Sequence, residues 1–310
     1  MTSRLALLCP GQGAQHRHMF DLAGTSPGAD ELLGTLLPEA ALDGTLARVL
    51  EDDALLFSNR VAQPLMVAAT LANWRALSSV LPAPALVAGY SIGEVTAWAV
   101  AGALSPPAAV ALARTRAGLM DACAAGGPAQ ALVAISGLPN SAIDPVLGRL
   151  GFHLAIETGD DSCIVGGPAA QVAELEHAVH AVGGRAGPLP VAVASHTPFM
   201  RGAVGPFADA LRQHILLDPV VPVLSGISAE RLNHGARAIE HLSRQLAEPI
   251  RWKDCMDALV EAGITVALEL GPGAGLSRML QARHPRIATR SVADFRSLHG
   301  IATWLSRHVE

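Results

Sequence analysis

Gly89-Tyr90-Ser91-Ile92-Gly93-Glu94 places a serine between two glycines, directly after the apolar run Ala85-Leu86-Val87-Ala88. A helix-like stretch, Val95 to Leu104, follows it. Strand, tight turn and helix in that order are the context a G-x-S-x-G nucleophile elbow requires. The glycines permit a strained turn that lifts the serine oxygen out of the fold. The helix N-terminus then offers free N–H groups and a positive dipole end to developing negative charge. A plain Gly-rich turn is the alternative; the flanking strand and helix favour the nucleophile.

Elsewhere the chain repeats this alternation. Leu5 to Leu8 reads as a strand leading into the loop Pro10-Gly11-Gln12-Gly13-Ala14-Gln15, and Gln63 to Leu77 reads as a helix. Ser105-Pro106 supplies an N-cap and a first-turn proline for another helix. Val266 to Leu270 reads as a strand ending in Gly271-Pro272-Gly273. Such alternation predicts an α/β fold with a parallel sheet, whose ligands bind where the strands end. The middle differs. After Gly126-Gly127-Pro128 the spacing predicts strand (131–135), helix (141–150), two strands (153–157, 162–165), helix (169–182) and strand (189–193). That β-α-β-β-α-β order is the ferredoxin-like unit. The expected organisation is a large domain, 1–125 and 191–310, carrying a small inserted domain, 126–190.

Composition narrows the function. The 310 residues are 50% hydrophobic and 16% charged, which argues for a sizeable core rather than disorder. A net charge of −5 argues against bulk nucleic-acid binding. The apolar runs are broken by Gly, Pro or charge, and Met1-Thr2-Ser3-Arg4 lacks a signal-peptide layout, so no membrane span and a cytoplasmic location are expected. Cys9, Cys123, Cys163 and Cys255 are far apart and read as reduced core residues. His16 with His18, and His177 with His180, lack a carboxylate or cysteine partner in any metal signature; they read as surface residues, and no metal is expected.

A serine nucleophile needs a base. His196 ends the strand-like run Leu189-Pro190-Val191-Ala192-Val193-Ala194-Ser195. From that position alone it serves equally as a base facing a cleft or as a satisfied structural histidine. Arg116 shares a helix face with Leu112, Leu119, Met120 and Cys123, whereas Arg114 points nearly the opposite way. A guanidinium on an apolar face needs an anion, either an internal carboxylate or a substrate carboxylate. The N–H groups of Gln12 and Ile92 are candidate oxyanion donors. No acidic third triad member is evident; the position of Glu94 suits the helix dipole as well as catalysis. Arg278, Arg283, Arg286 and Arg290 read as a solvated face or as a dock for an acidic partner.

Taken together, Pro10-Gly11-Gln12-Gly13-Ala14-Gln15, Gln63-Pro64, the Ser91 elbow, Arg116, Ser195-His196 and Glu269-Leu270-Gly271-Pro272-Gly273 resemble the malonyl-CoA:acyl-carrier-protein transacylases, in order and over nearly the whole chain. The resemblance implies an α/β-hydrolase-like large domain and an inserted ferredoxin-like domain. It implies Ser91 as the acyl-accepting nucleophile and His196 as its base. Arg116 would bind the malonyl carboxylate, Gln63 would line the same pocket, and Gln12 and Ile92 would form the oxyanion hole. Gln245 falls where that family orients its histidine, which would explain the missing acid. The implied substrates are a coenzyme A thioester and an acyl carrier protein, with no cofactor. The family usually has His before the serine; here it is Tyr90. The Gly-Tyr-Ser-x-Gly-Glu variant, Ser58 to Leu65, Val193 to Pro198, Leu224 to Ile227 and Arg290 to Leu298 look more like the epsilon subunit of bacterial malonate decarboxylase. That implies the decarboxylase carrier subunit as acceptor. The rivals are the fatty-acid-synthesis transacylase, a serine hydrolase or thioesterase, and a docking subunit without catalysis.

Overall fold

The computed structural model describes residues 4–40 and 45–309. Among the described residues ten strands form two sheets: β1 (Leu5–Cys9), β2 (Leu86–Gly89), β3 (Gln130–Ser136), β4 (His153–Glu157), β5 (Ser162–Pro168), β6 (Arg185–Pro188), β7 (Val223–Leu224), β8 (Arg231–Leu232), β9 (Val266–Glu269) and β10 (Ala288–Ser291). The larger sheet runs β10-β9-β1-β2-β7-β8. Its first five strands are parallel, and β8 turns back antiparallel on β7.

The apolar runs of β1, β2 and β9 are buried throughout, as expected of parallel strands covered on both faces. Alternate residues part company across the sheet. Leu5, Leu7, Val87 and Leu268 enter one core, and Ala6, Leu8, Leu86 and Ala267 enter the other. Helix Asn59–Leu77 lies inside the first core and is buried on nearly every face over 61–73. Helix Pro106–Ala125 packs against it, its start capped by the Ser105 side chain with Pro106 in the first turn, as the sequence predicts.

The smaller sheet is antiparallel, in the order β4-β5-β3-β6. One face packs on helices Asn140–Leu150 and Val172–Ala181 through Val133, Ile135, Leu147, Val165, Leu175 and Val179. Leu132, Ala155 and Ile156 instead join the large sheet's second core beside Ile250 and Trp252. Edge strand β4 is also stitched to the large sheet's lobe: Ile250 N–H donates to Ala155 O at 2.9 Å, and Glu157 N–H donates to Ile250 O at 2.8 Å. The two sheets therefore share a core and do not swing on a bare linker.

One expected element is displaced. The last strand of the small sheet is Arg185–Pro188, not 189–193. Leu189 still donates to Leu132 O at 2.8 Å, but Pro188 and Pro190 have no N–H with which to continue a ladder. The chain beyond is irregular. His196 therefore does not sit at a strand end; it sits in a tight turn, with φ at 62°.

Candidate active site

β2 ends at Gly89, and Ser91 adopts φ of 57°, a left-handed conformation that costs a non-glycine residue roughly 1–3 kcal/mol. Helix Gly93–Val100 begins two residues later. A side chain at Gly93 would collide with the carbonyl oxygens of Cys9 and Pro10, so this turn can lie against the end of β1 only with glycine there. The Pro10–Gln15 loop abuts the same turn: a Cβ on Gly11 would stand 3.6 Å from Ser91 Cβ. Among the described residues neither the Gln12 nor the Ile92 backbone N–H donates a hydrogen bond. Both remain free for an external acceptor.

Ser91 Oγ lies 2.8 Å from His196 Nε2. His196 is buried, and its other ring nitrogen lies 2.6 Å from the main-chain oxygen of Gln245. A carbonyl only accepts, so Nδ1 carries the proton and Nε2 is bare towards the serine. The turn itself is held by His196 N–H donating to Leu246 O at 2.8 Å. Burial, reinforced by the nearby positive Arg116, pushes the His196 imidazole down to about 3, against the pull of the Gln245 carbonyl. It is neutral near pH 7, the form a base requires.

Arg116 is 1% exposed. Its Nη1 donates to Gln63 Oε1 at 2.7 Å; its Nη2 lies 3.4 Å from both Ser91 Oγ and Gln245 Oε1. No carboxylate pairs with it among the described residues. The internal ion pair that the sequence left open is therefore absent. Burial lowers the guanidinium to about 10, against the opposing charge of Glu94. Arg114, on the opposite side of the helix, pairs with Glu39 at the surface.

Two amide chains lead away from the guanidinium. Gln63 Nε2 donates to Asn59 Oδ1 at 2.6 Å, and Asn59 Nδ2 donates to Asp121 Oδ1 at 2.8 Å. Gln245 Nε2 donates to Glu94 Oε2, which also accepts from Gly226 N–H at 2.9 Å. Glu94 is fully buried, and burial pushes its carboxyl up to about 7. It touches neither His196 nor the helix dipole's free N–H groups, so it is not a triad acid. Sequence reasoning missed Asn59 and Asp121; the i, i+4 spacing of Asn59 and Gln63 on one helix points to Asn59, whereas Asp121, on another helix, carries no such signal.

Tyr90 turns away from the Ser91–His196 pair and stacks edge-on against Trp252, ring centres 5.2 Å apart. A cavity of about 620 Å³ lies beside the site, lined by Gln12 and Asn59 on one side and by Gln130 and the 189–193 segment on the other. No group of His, Cys, Asp and Glu able to hold a metal occurs among the described residues, and His16, His18, His177 and His180 are exposed. The basic C-terminal stretch is partly spent. Arg283 grips Asp257 at 2.6 and 2.7 Å and Asp160 at 3.0 Å, and Arg290 lies 3.7 Å from Asp294. Arg278 and Arg286 are exposed, without an acidic partner among the described residues.

The model of the acyl transferase domain matches residues 6–297. The chain belongs to that family. It is an acyltransferase enzyme. It is similar to the malonyl CoA-acyl carrier protein transacylase of Mycobacterium tuberculosis, 32% identical over 304 residues, covering 95% of this chain and 99% of the relative. The malonyl CoA-acyl carrier protein transacylase structure from Coxiella burnetii superposes with a TM-score of 0.91 at 26% identity, covering 100% of this chain and 99% of that one. A type II polyketide malonyl-transacylase solved in complex with its acyl-carrier protein superposes at 0.89 with 27% identity, covering 97% and 99%. Among the described residues no helix is long and apolar enough to cross a membrane.

Proposed function

We propose that the chain transfers malonyl from malonyl-CoA to the thiol of an acyl carrier protein through a malonyl-serine intermediate. The observation that carries this reading is Arg116: a buried guanidinium with only neutral partners, 3.4 Å from the oxygen of a serine already bonded to a neutral histidine. Such a cation selects an acyl group that brings its own carboxylate. The similarity to named transacylases supports the same reading.

Ser91 attacks the thioester carbonyl while its proton passes to His196 Nε2. The oxyanion is received by the N–H groups of Gln12 and Ile92. Collapse expels the coenzyme A thiolate, which recovers the proton from His196. A carrier thiol then enters, gives its proton to the same nitrogen and attacks the ester carbonyl; collapse leaves the acyl group on the carrier sulfur and frees the Ser91 oxygen, which takes the proton back from His196. Each step exchanges ester and thioester, so the chemistry calls for neither metal nor redox cofactor. Substrate also helps the base. A malonyl carboxylate on Arg116 cancels the charge that, after burial, most depresses His196, so the imidazole becomes a stronger base when the correct acyl group is bound.

The four-stranded unit at 126–190 acts in this reading as a ferredoxin-like lobe closing one side of the cleft, with 1–125 and 191–310 as the catalytic domain. For the acceptor we infer the carrier subunit of malonate decarboxylase, on the strength of Tyr90 and the variant segments around Ser58–Leu65, Val193–Pro198 and Arg290–Leu298. The fatty-acid carrier is the competing acceptor. Mixing the protein with malonyl-CoA and weighing it intact tests the chemistry: one malonyl group on Ser91 is expected, and an unmodified serine would overturn it. Transfer rates to the two carriers, each with its own prosthetic group, test the acceptor. Preference for the fatty-acid carrier would overturn the decarboxylase assignment alone.

A further inference from the structure

The surroundings of Arg116 hold two carboxylates and keep both off it. Glu94 stands one amide away, behind Gln245, and Asp121 stands two amides away, behind Gln63 and Asn59. A carboxylate only accepts and a guanidinium only donates. A side-chain amide between them is therefore forced into one orientation, its nitrogen towards the acid and its oxygen towards the cation. A carboxylate in direct contact would occupy the fork and neutralise it. The amide supplies the acceptor that a buried guanidinium needs and leaves the charge available.

Gln245 is the most consequential of the three spacers, because its main-chain oxygen also holds His196 Nδ1. Glu94 Oε2 is the atom that holds its side chain, and it fastens the Gly226 loop with the same oxygen. Its other oxygen, buried, has no partner. We propose that Glu94 is a positioning residue for acyl selection: it fixes the Gln245 amide so that its oxygen faces Arg116, holding the guanidinium at Ser91 for the incoming carboxylate without pairing with it. This rests on the malonyl-transfer reading.

The test measures kcat/KM for loading Ser91 from malonyl-CoA and from acetyl-CoA, in wild type and in variants. Glu94→Ala removes the acceptor and frees the Gln245 amide to turn its NH₂ towards the cation. Malonyl loading should fall roughly tenfold to a hundredfold, the scale of losing a hydrogen bond to a charged group. Acetyl loading should fall much less, so the malonyl-to-acetyl ratio should drop. Glu94→Gln keeps an oxygen that accepts from both Gln245 and Gly226, and it should restore the ratio to within about threefold of wild type. If Glu94→Ala does not fold, Gln245→Leu carries the same test, since it deletes the amide and keeps the main-chain oxygen on His196. It should lose malonyl selectively. Equal losses for both acyl groups, or an unchanged ratio, would mean that Glu94 is merely structural and would overturn the proposal with the malonyl reading intact. A wild-type protein that loads no malonyl would overturn both.

Discussion

Two strands of the large sheet, β2 and β9, each end in a glycine-rich turn that opens a helix, and a buried glutamate flanks each turn, Glu94 in the helix after the first and Glu269 at the strand end before the second. Their chemistry diverges. After β2, Ser91 bonds a neutral histidine, and Glu94 is kept one amide from an unpaired guanidinium. After β9, Glu269 accepts directly from Ser277 N–H at 2.7 Å, closing the start of helix Gly275–Arg283, and Arg283 at that helix's end is saturated by Asp257 and Asp160. One turn leaves its donors and its charge open; the other consumes them. Strand, turn and helix are common to both, so the shared architecture does not make a site. Unspent hydrogen-bonding capacity does.

The largest effect should come from Ser91 and His196, set against Ser277 in the first turn of helix Gly275–Arg283. Ser91→Ala should abolish the acyl-enzyme, and His196→Ala should cut transfer on the order of 10³-fold or more, because members of such a pair act as a unit. Ser277→Ala, which loses a bond to Ala274 O, should leave loading unchanged and cost about 1 kcal/mol of stability. Intact-mass loading and urea unfolding read the two outcomes. A malonyl adduct at the active site of Ser91→Ala would erase the distinction.

Next come the arginines. If Arg116 binds the malonyl carboxylate as proposed, Arg116→Ala removes one partner of a buried charge contact, roughly 2–5 kcal/mol, or about thirtyfold to a few thousandfold in malonyl loading. Acetyl has no carboxylate, so its loading should fall less or rise. Arg283→Ala should change neither. Equal losses of both acyl groups in Arg116→Ala would make Arg116 as structural as Arg283.

The glutamates give a smaller, pH-dependent effect. Burial pushes Glu269 up to about 7, against bonds from Ser277. Between about pH 4.5 and 7 the folded protein thus keeps a proton that the unfolded chain has lost, and stability from this group falls as pH rises through that window. Glu94 adds a fall of the same sign. His196 opposes both, since its lowered value makes stability rise between about pH 3 and 6.5. Glu269→Gln keeps the acceptor and removes one titration. Relative to wild type it should gain up to about 3 kcal/mol on going from pH 4.5 to pH 8, with loading unchanged. Parallel urea curves for the two proteins at both pH values would count against this.

The first turn was legible because its requirements are local: two glycines, a serine, a strand before and a helix after. The same holds for the capped helix at Ser105 and for the order of elements between 130 and 188. Spacing and residue type alone do not reveal what holds His196, because its acceptor is a main-chain oxygen and every residue has one; only the family resemblance points to Gln245. The strand expected over 189–193 failed because its alternating valines sit where Pro188 and Pro190 remove ladder donors. Nor could spacing reveal that Arg283 is spent. Asp257 and Asp160 lie 26 and 123 residues away, and only the fold brings them together.

That pairing reshapes the smallest expected effect. Four arginines in the C-terminal stretch suggest a dock for an acidic carrier, yet Arg283 and Arg290 already face aspartates. A cation bound to its own acid offers an incoming acid little, so any docking charge this stretch supplies falls to Arg278 and Arg286. Exposed contacts are worth roughly 0.2–1 kcal/mol each, so Arg278→Glu with Arg286→Glu should slow carrier transfer only several-fold. Loading from malonyl-CoA should not change, because Ser91, His196 and Arg116 are untouched. Salt should act in the same direction on wild type, screening such contacts beyond about 8 Å at physiological ionic strength. Transfer to a small neutral thiol should barely respond to salt or to either reversal. If Arg283→Glu slowed carrier transfer more than the double reversal did, the aspartates would not be consuming its charge, and the contrast between an open turn and a closed one would fail at the surface while holding in the core.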